Sequence, residues 1–366
     1  MIKKMLYFIL ALVAIVLIGG LVFINQAKFG KLPAGERLAR IEQSPNYKNG
    51  KFQNLSPTPT LSNPDKSMLA SLWEFLFNKP KNIKPSAPIP HIKTDLRTLP
   101  TDQEIAVWLG HSSYLIQTHG KRFLIDPVLV SGSPVGFSNP MFDGSNPFAP
   151  EDLPEVDFLI ITHDHWDHLD YDTVKTLKGK VGKIICPLGV GAHFEHWGFP
   201  AEIILEMDWN QHADLGSGFS VDCLPTRHAS GRGLMQNKSL WASFMLQTPT
   251  QHIFIGGDSG YDTHFAQIAQ RFPNIDIAFL ENGQYNTDWA YIHLLPEDLV
   301  RVAQTLHPKR IIAVHNSKFA LARHPWDEPM ELFYQASQQH HFPLSTPQIG
   351  EIIQLNNPEQ HFEKWW

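Results

Sequence analysis

Cysteine and basic blocks are scarce, and each scarcity excludes something. Only two cysteines, Cys186 and Cys223, occur in 366 residues, both inside apolar stretches ("KIICPLG" and "FSVDCLPT"). A pair this sparse builds no disulfide framework; both are expected to be buried free thiols and say little about redox compartment. The main body has no Lys/Arg block and the formal net charge is -6, so nucleic acid is not an expected partner. No short-period repeat is found.

What is present begins with one long apolar run. "MLYFILALVAIVLIGGLVFI", residues 5–24, holds no charged residue and as a helix reaches about 30 Å, the thickness of a hydrocarbon core. A cleavable signal peptide has a shorter apolar region, roughly 7–15 residues, ending in an A-x-A-like site. Asn25-Gln26-Ala27 matches that poorly, so an uncleaved anchor is expected. Lys3 and Lys4 favour an inward N-terminus, whereas Lys28, Lys31 and Arg37 oppose it. The arrangement expected is a bacterial inner-membrane anchor with the following domain on the periplasmic side. The domain plan is an anchor over 1–27, a Pro-rich linker and surface-packed N-terminal segment over 28–100, and a main domain over 101–366. Within the linker, "SMLASLWEFLF" places Met68, Leu72 and Leu76 in i, i+4 register. The expectation is a helix packed on the main domain rather than on lipid, because its polar face lacks the Lys/Arg of a lipid-surface helix.

From Glu104 the pattern turns to strands. "IAVWLGHSSYLIQ", a "THGK" turn and "RFLIDPVLV" predict a hairpin. "VDFLIIT", "GKIICPL", "AEIILEM", "GFSVDCLP", "LWASFMLQT", "HIFIGGD", "IDIAFLE", "RIIAVHN" and "EIIQL" follow, with helical stretches between several of them. One helix should start at Pro296, with Glu297 and Asp298 at the positive end of its dipole. Strands interspersed with helices predict a layered α/β domain.

Histidine is the compositional outlier, nineteen in all. Three of them crowd into "THDHWDHLD" directly after the strand "VDFLII". Such a cluster has no folding benefit, since buried charge costs several kcal/mol unless paired or metal-bound. One ion cannot easily collect all four groups of a compact H-x-H-x-D-H loop. Two can, with His163 and His165 turned to one and Asp167 and His168 to the other. Three further candidates end strands: His228, Asp258 and His315. Loops past the carboxyl ends of strands in one sheet share a rim and can converge. Gly256-Gly257 lets the backbone come close where Asp258 would bridge both ions.

"THDHWDHLD", His228, "GGDSGY" and His315 resemble the metallo-β-lactamase superfamily. "VWLGHSSYLI", "LIDPV", "RHASGRGLMQNKSLWASF" and "AVHNSKFALARHPWDEP" are similar to one branch of it, the N-acylphosphatidylethanolamine-hydrolysing phospholipases D and their bacterial relatives. The resemblance runs from about Lys51 to the C-terminus. It implies a four-layer αββα sandwich with two Zn²⁺ at one edge. It implies that His163, His165 and His228 hold one zinc, that Asp167, His168 and His315 hold the other, and that Asp258 bridges. It implies a hydrolase of phospholipase D type acting on N-acylated phosphatidylethanolamine-like lipids, with Asp167 and His293 as the catalytic candidates besides the metals. His293 in "YIHLLPED" is carried over as substrate-facing, with an ordinary surface histidine as the other reading. The chain departs from that branch where Asn316 replaces a Trp and where Glu281 replaces an apolar or proline residue.

Other assignments stay open between two readings. Asp126 either orients a ligand histidine or fixes its turn. Arg232 either steers an anionic group such as phosphate or stabilises its loop. His111 reads as structural, and His193 and His196 as helix surface. The metal centre equally suits a lactone, lactam or other small ester, and His-rich, thiolate-free ligation suits zinc but admits Fe or Mn. The expected partners are thus a lipid or small-ester substrate and, through the first helix, a membrane.

Overall fold

The computed structural model describes residues 2–366. The apolar run folds as α1 (Ile2–Ile24), a helix with no buried residue, long and apolar enough to cross a membrane, with a mean hydropathy of 2.9. After it come α2 (Gly35–Ile41), a small hairpin of β1 (Tyr47–Lys48) and β2 (Lys51–Phe52), and α3 (Met68–Phe77). The Ser67 hydroxyl caps α3 by accepting from the Ala70 amide. The side chain of Leu76 lies outside the described residues.

The stretch 28–100 is more than a linker. Ile41, Phe52, Ile89 and Leu96 are fully buried in the main core, each contributing about 1.5–3 kcal/mol of burial. Proline and asparagine content signalled irregular backbone correctly, but single well-spaced apolar residues suffice to pin such a chain down.

Two seven-stranded sheets form the body. The first holds β3 (Ile105–Trp108), β4 (Tyr114–Thr118), β5 (Lys121–Ile125), β6 (Val156–Ile160), β7 (Val181–Pro187) and β8 (Ile204–Met207). The second holds β9 (His212–Gly216), β10 (Phe219–Leu224), β11 (Ser243–Gln247), β12 (His252–Ile255), β13 (Ile277–Glu281), β14 (Ile311–Val314) and β15 (Leu344–Ser345). β16 (Ile352–Gln354) returns to pair antiparallel with β3. "IAVWLGHSSYLIQ" is therefore two strands rather than one, because Gly110 and His111 both take left-handed φ values (89° and 53°) and turn the chain. The "THGK" turn stands as expected, between β4 and β5.

The sheets face each other through alternate residues. On β13, Ile277 and Phe279 enter the inter-sheet core while Ala278 and Leu280 face the helices; on β14, Ile312 and Val314 do the same against Ile311 and Ala313. The Tyr114 ring stacks on Phe279 across the interface at 4.0 Å. α6 (His264–Arg271), α7 (Pro296–Leu306) and α8 (Glu328–His340) cover the outer face of the second sheet through Ile268, Val302 and Phe333. α4 (Tyr171–Val174) and α5 (Gly191–His196) add Val174 and Phe194 on the other side. This is the αββα sandwich. Strands β12, β13 and β14 run parallel, as do β5, β6 and β7, so their carboxyl ends share one rim.

A buried lysine gives this core a pH signature. Lys318 is fully buried, its amine donating to the carbonyls of Leu109 (3.1 Å) and Val128 (2.8 Å). Burial pushes it down to about 7 from its ordinary 10.5. Above that pH the unfolded chain binds the extra proton, so this group makes stability rise as pH rises. The window is about pH 7 to 8.5, below the range where ionisation of the buried Cys186 and Cys223 thiols in the unfolded chain opposes it. The denaturant midpoint should climb across that window and Lys318→Met should flatten the climb; parallel slopes for both proteins would refute this.

Candidate metal centre

Asp126, at the end of β5, organises the loop that follows β6. Its carboxylate accepts from the Thr162 amide (2.8 Å) and hydroxyl (2.6 Å) and bonds His168 Nδ1 at 2.8 Å. With Nδ1 committed there, His168 presents Nε2 to the rim. The turn of the loop then brings His163 Nε2 to 2.9 Å from His165 Nδ1. His228, beyond β10, adds its Nε2 at 3.1 Å from the same nitrogen, and its own Nδ1 donates to the Ile292 carbonyl at 2.8 Å. Imidazole lone pairs brought together this way repel unless a cation or proton sits among them.

A second group lies beside the first. His315, at the end of β14, has Nδ1 2.9 Å from the Ser112 hydroxyl and 3.2 Å from Asp258 Oδ1. Asp167, His168 and His315 offer atoms within 4.8 Å of one another. Asp258, beyond β12, stands between the groups: its Oδ2 is 3.2 Å from His168 Nε2, 3.7 Å from His228 Nε2 and 3.9 Å from His163 Nε2. Gly256 and Gly257 permit this approach. A Cβ on Gly256 would lie 2.6 Å from the Phe279 carbonyl oxygen, and Gly257 has φ 60°.

These residues fit divalent cations. His168 Nε2, His315 Nε2 and Asp258 Oδ1 are buried without a hydrogen-bond partner, at a rim where an unpaired polar atom costs about 1–3 kcal/mol. Burial holds His163, His228 and His315 well below the usual histidine range and His165 at about 4, so all four are unprotonated at neutral pH. Burial also works to lower His168, but Asp258, Asp167 and Asp126 carry it above its ordinary value. The donors are nitrogen and carboxylate oxygen without thiolate, a set that suits zinc, iron or manganese.

A family model described as a Beta-lactamase superfamily domain matches residues 121–316, the span that holds every one of these histidines and aspartates. The chain belongs to the β-lactamase superfamily. An uncharacterized protein of Mycobacterium tuberculosis is 37% identical over 330 residues, covering 89% of this chain and 88% of that one. N-acyl-phosphatidylethanolamine-hydrolyzing phospholipase D 1 of Caenorhabditis elegans is 28% identical over 270 residues, covering 69% of this chain and 76% of its own. Among solved structures, Igni18, a metallo hydrolase of Ignicoccus hospitalis, superposes with a TM-score of 0.54 at 19% identity over 68% of this chain and 97% of its own, a likeness of fold. As a member of the superfamily the chain is a metal-dependent hydrolase with a His/Asp metal site.

Within this superfamily site, His293 and Glu281 meet. Glu281 ends β13 on the inter-sheet parity and is 2% exposed. It accepts from the Leu294 amide at 2.7 Å and lies 2.9 Å from His293 Nδ1. His293 thus turns its other nitrogen to the cavity it helps to line. Sequence reasoning noted Glu281 only as a departure; its place at a strand end on the metal rim was the available signal. His111 was missed as well. Its Nε2 is 2.9 Å from Asp167 Oδ2, and it falls within the Asp167–His168–His315 group. A histidine in a turn directly after β3, on the same rim, was its signal.

Two expectations need correction. Arg232 does not line the metal cavity. It is 4% exposed and its fork is occupied by main-chain carbonyls: Asp164 (3.0 Å), Leu169 (2.5 Å) and Lys28 (2.8 Å and 3.2 Å). Four of its five N–H donors are directed to these carbonyls, so the loop-stabilising alternative describes it. His193 is not helix surface. It is buried, with Nε2 3.0 Å from Asp164 Oδ2, because α5 packs its amino-terminal half against the back of the metal loop.

Proposed function

We propose that this chain is a membrane-tethered dinuclear zinc hydrolase of phospholipase D type, cleaving N-acylated phosphatidylethanolamine-like lipids. The observation that carries the reading is the cavity over the metal rim, about 440 Å³ in volume. His165, Asp167, Asp258, His293 and His315 form its floor, and Leu61, Leu72, Phe75, Trp289 and Leu321 contribute an apolar wall. A polar floor under an apolar wall fits a substrate with a reactive ester group and an acyl chain. The name of the Caenorhabditis elegans relative supports the same class, and α1 would keep the site at its substrate's interface.

His163, His165 and His228 would hold one cation, Asp167, His168 and His315 the other, with Asp258 between. Two such cations supply Lewis acidity that makes hydroxide available near neutral pH and draws charge from a phosphoryl oxygen. The chain's own residues do the rest. Asp126 fixes the tautomer of His168, and the Ile292 carbonyl fixes that of His228. The apolar wall excludes water from the acyl chain. His293, held by Glu281, is placed to give a proton to the departing ethanolamine oxygen as the phosphorus–oxygen bond to it breaks and water's oxygen joins phosphorus.

The test is turnover by the full-length protein in mixed micelles, with products read by mass spectrometry. N-acylphosphatidylethanolamine should yield phosphatidate and an N-acylethanolamine. Hydrolysis confined to a lactone panel or to nitrocefin would defeat the lipid assignment and leave the small-ester alternative.

A further inference from the structure

The segment just after α1 is bound into the back of the metal loop, and it is held mostly by its main chain. Four contacts carry this. The Trp197 indole donates to the Ala27 carbonyl at 2.7 Å. Arg232 takes the Lys28 carbonyl with two nitrogens while its third grips the carbonyls of Asp164 and Leu169, both on the metal loop. The Phe29 ring meets Trp166 edge-on at 5.0 Å, and the Arg232 guanidinium lies over Trp166 at 4.1 Å. The Lys31 amide donates to His193 Nδ1 at 3.0 Å, and the far nitrogen of that ring bonds Asp164.

Asp164 and Trp166 alternate with His163, His165 and Asp167 along the loop. The metal-facing side chains therefore look toward the metal rim, while the intervening ones look back at residues 27–31. Asp164 is saturated on that side: it also accepts from the Gly231 amide (2.6 Å) and the Ser239 hydroxyl (2.6 Å). Gly30 is where the segment touches most closely. Its φ is 72°, and a Cβ there would sit 2.0 Å from His193 Nδ1. Only glycine fits.

We infer that residues 27–31 are a positioning brace for the metal loop, so that the amino-terminal helix is a rigid mount of the metal centre rather than a tether on a flexible string. Arg232 is the shared clasp: one side chain binds brace and loop at once, and its planar fork makes all four bonds. The brace stands independently of the lipid assignment, because it concerns the loop and not the substrate. Hydrogen-bonded partners behind metal ligands typically set metal affinity by about 10–100-fold.

The test uses the full-length protein in detergent micelles, with Gly30→Ala to expel the segment and Phe29→Ala as a milder second variant in case the first does not fold. Amide hydrogen exchange reads the brace at Lys31, the loop at residues 163–169 and the core at β13 and β14. A chelator titration with elemental analysis reads metal retention. Expected are faster exchange at Lys31 and across the loop, metal lost at about tenfold lower chelator, and unchanged protection of the core strands. Lys31 released with loop exchange and metal retention both unchanged overturns the inference. Lys31 still protected in both variants overturns it too.

Discussion

Asp258→Asn is expected to cost the protein its firmly held metal and to lower kcat/KM on an activated phosphodiester by on the order of 10³-fold, equivalent to about 4 kcal/mol. The size follows from position. Asp258 is the one carboxylate within 4 Å of His163, His168, His228 and His315, so its charge serves both groups. Without cations that placement is unfavourable. Burial pushes the Asp258 carboxyl up to about 6, with Glu281 adding to the rise and His168 opposing it. Removing the charge should therefore leave the chelated protein's melting temperature unchanged or higher, while abolishing the rise that added zinc gives the wild type. The two measurements together are decisive: a variant that melts lower when chelated, yet still binds two equivalents of zinc, would mean Asp258 is a structural residue.

The clustered histidines and aspartates of the candidate site were legible in the sequence because metal chemistry demands residue types that folding does not. His163, His165, Asp167 and His168 crowd together with no packing reason, and His228, Asp258 and His315 each follow an apolar run that had to be a strand. The sheets were legible for a similar reason: parallel strands buried on both faces read as continuous Val/Ile/Leu stretches, such as Ile311–Val314. What stayed hidden depends on contacts between segments far apart in the chain. Arg232 looked free to meet a phosphate because its three carbonyl partners, those of Lys28, Asp164 and Leu169, belong to two other stretches. His193 looked like surface because the Lys31 amide and Asp164 that bury it lie 162 and 29 residues away. Thr60, Leu61 and α3 looked peripheral, yet they wall the cavity. α3 is amphiphilic in an unusual way. Leu72 and Phe75 line the cavity, Leu72 while still half exposed, whereas Leu69, Trp73 and Phe77 stay exposed away from it, and no periodicity argument separates two apolar faces.

His293→Ala should lower kcat by roughly 10²–10⁴-fold, the range for a lost proton-transfer group, and should leave both metals in place. Metal retention is the discriminating feature, because His293 faces Glu281 at 2.9 Å and stands farther, 3.9 Å, from Asp258. Glu281→Gln tests the same reading one bond back. Glutamine keeps the shape and still accepts from the Leu294 amide, but it exchanges the carboxyl partner of His293 Nδ1, which burial pushes well above its ordinary pKa, for an amide. The imidazole stays in the cavity with a weaker hold on its orientation, and kcat should fall by about 10–100-fold with KM little changed. A leaving group that needs no proton separates proton transfer from mere loss of shape. With p-nitrophenolate departing, His293→Ala should recover most of its rate relative to wild type, whereas a poor alkoxide leaving group should show the full loss. Equal losses on both substrates, or loss of zinc in either variant, would place His293 and Glu281 among the groups that hold the cations.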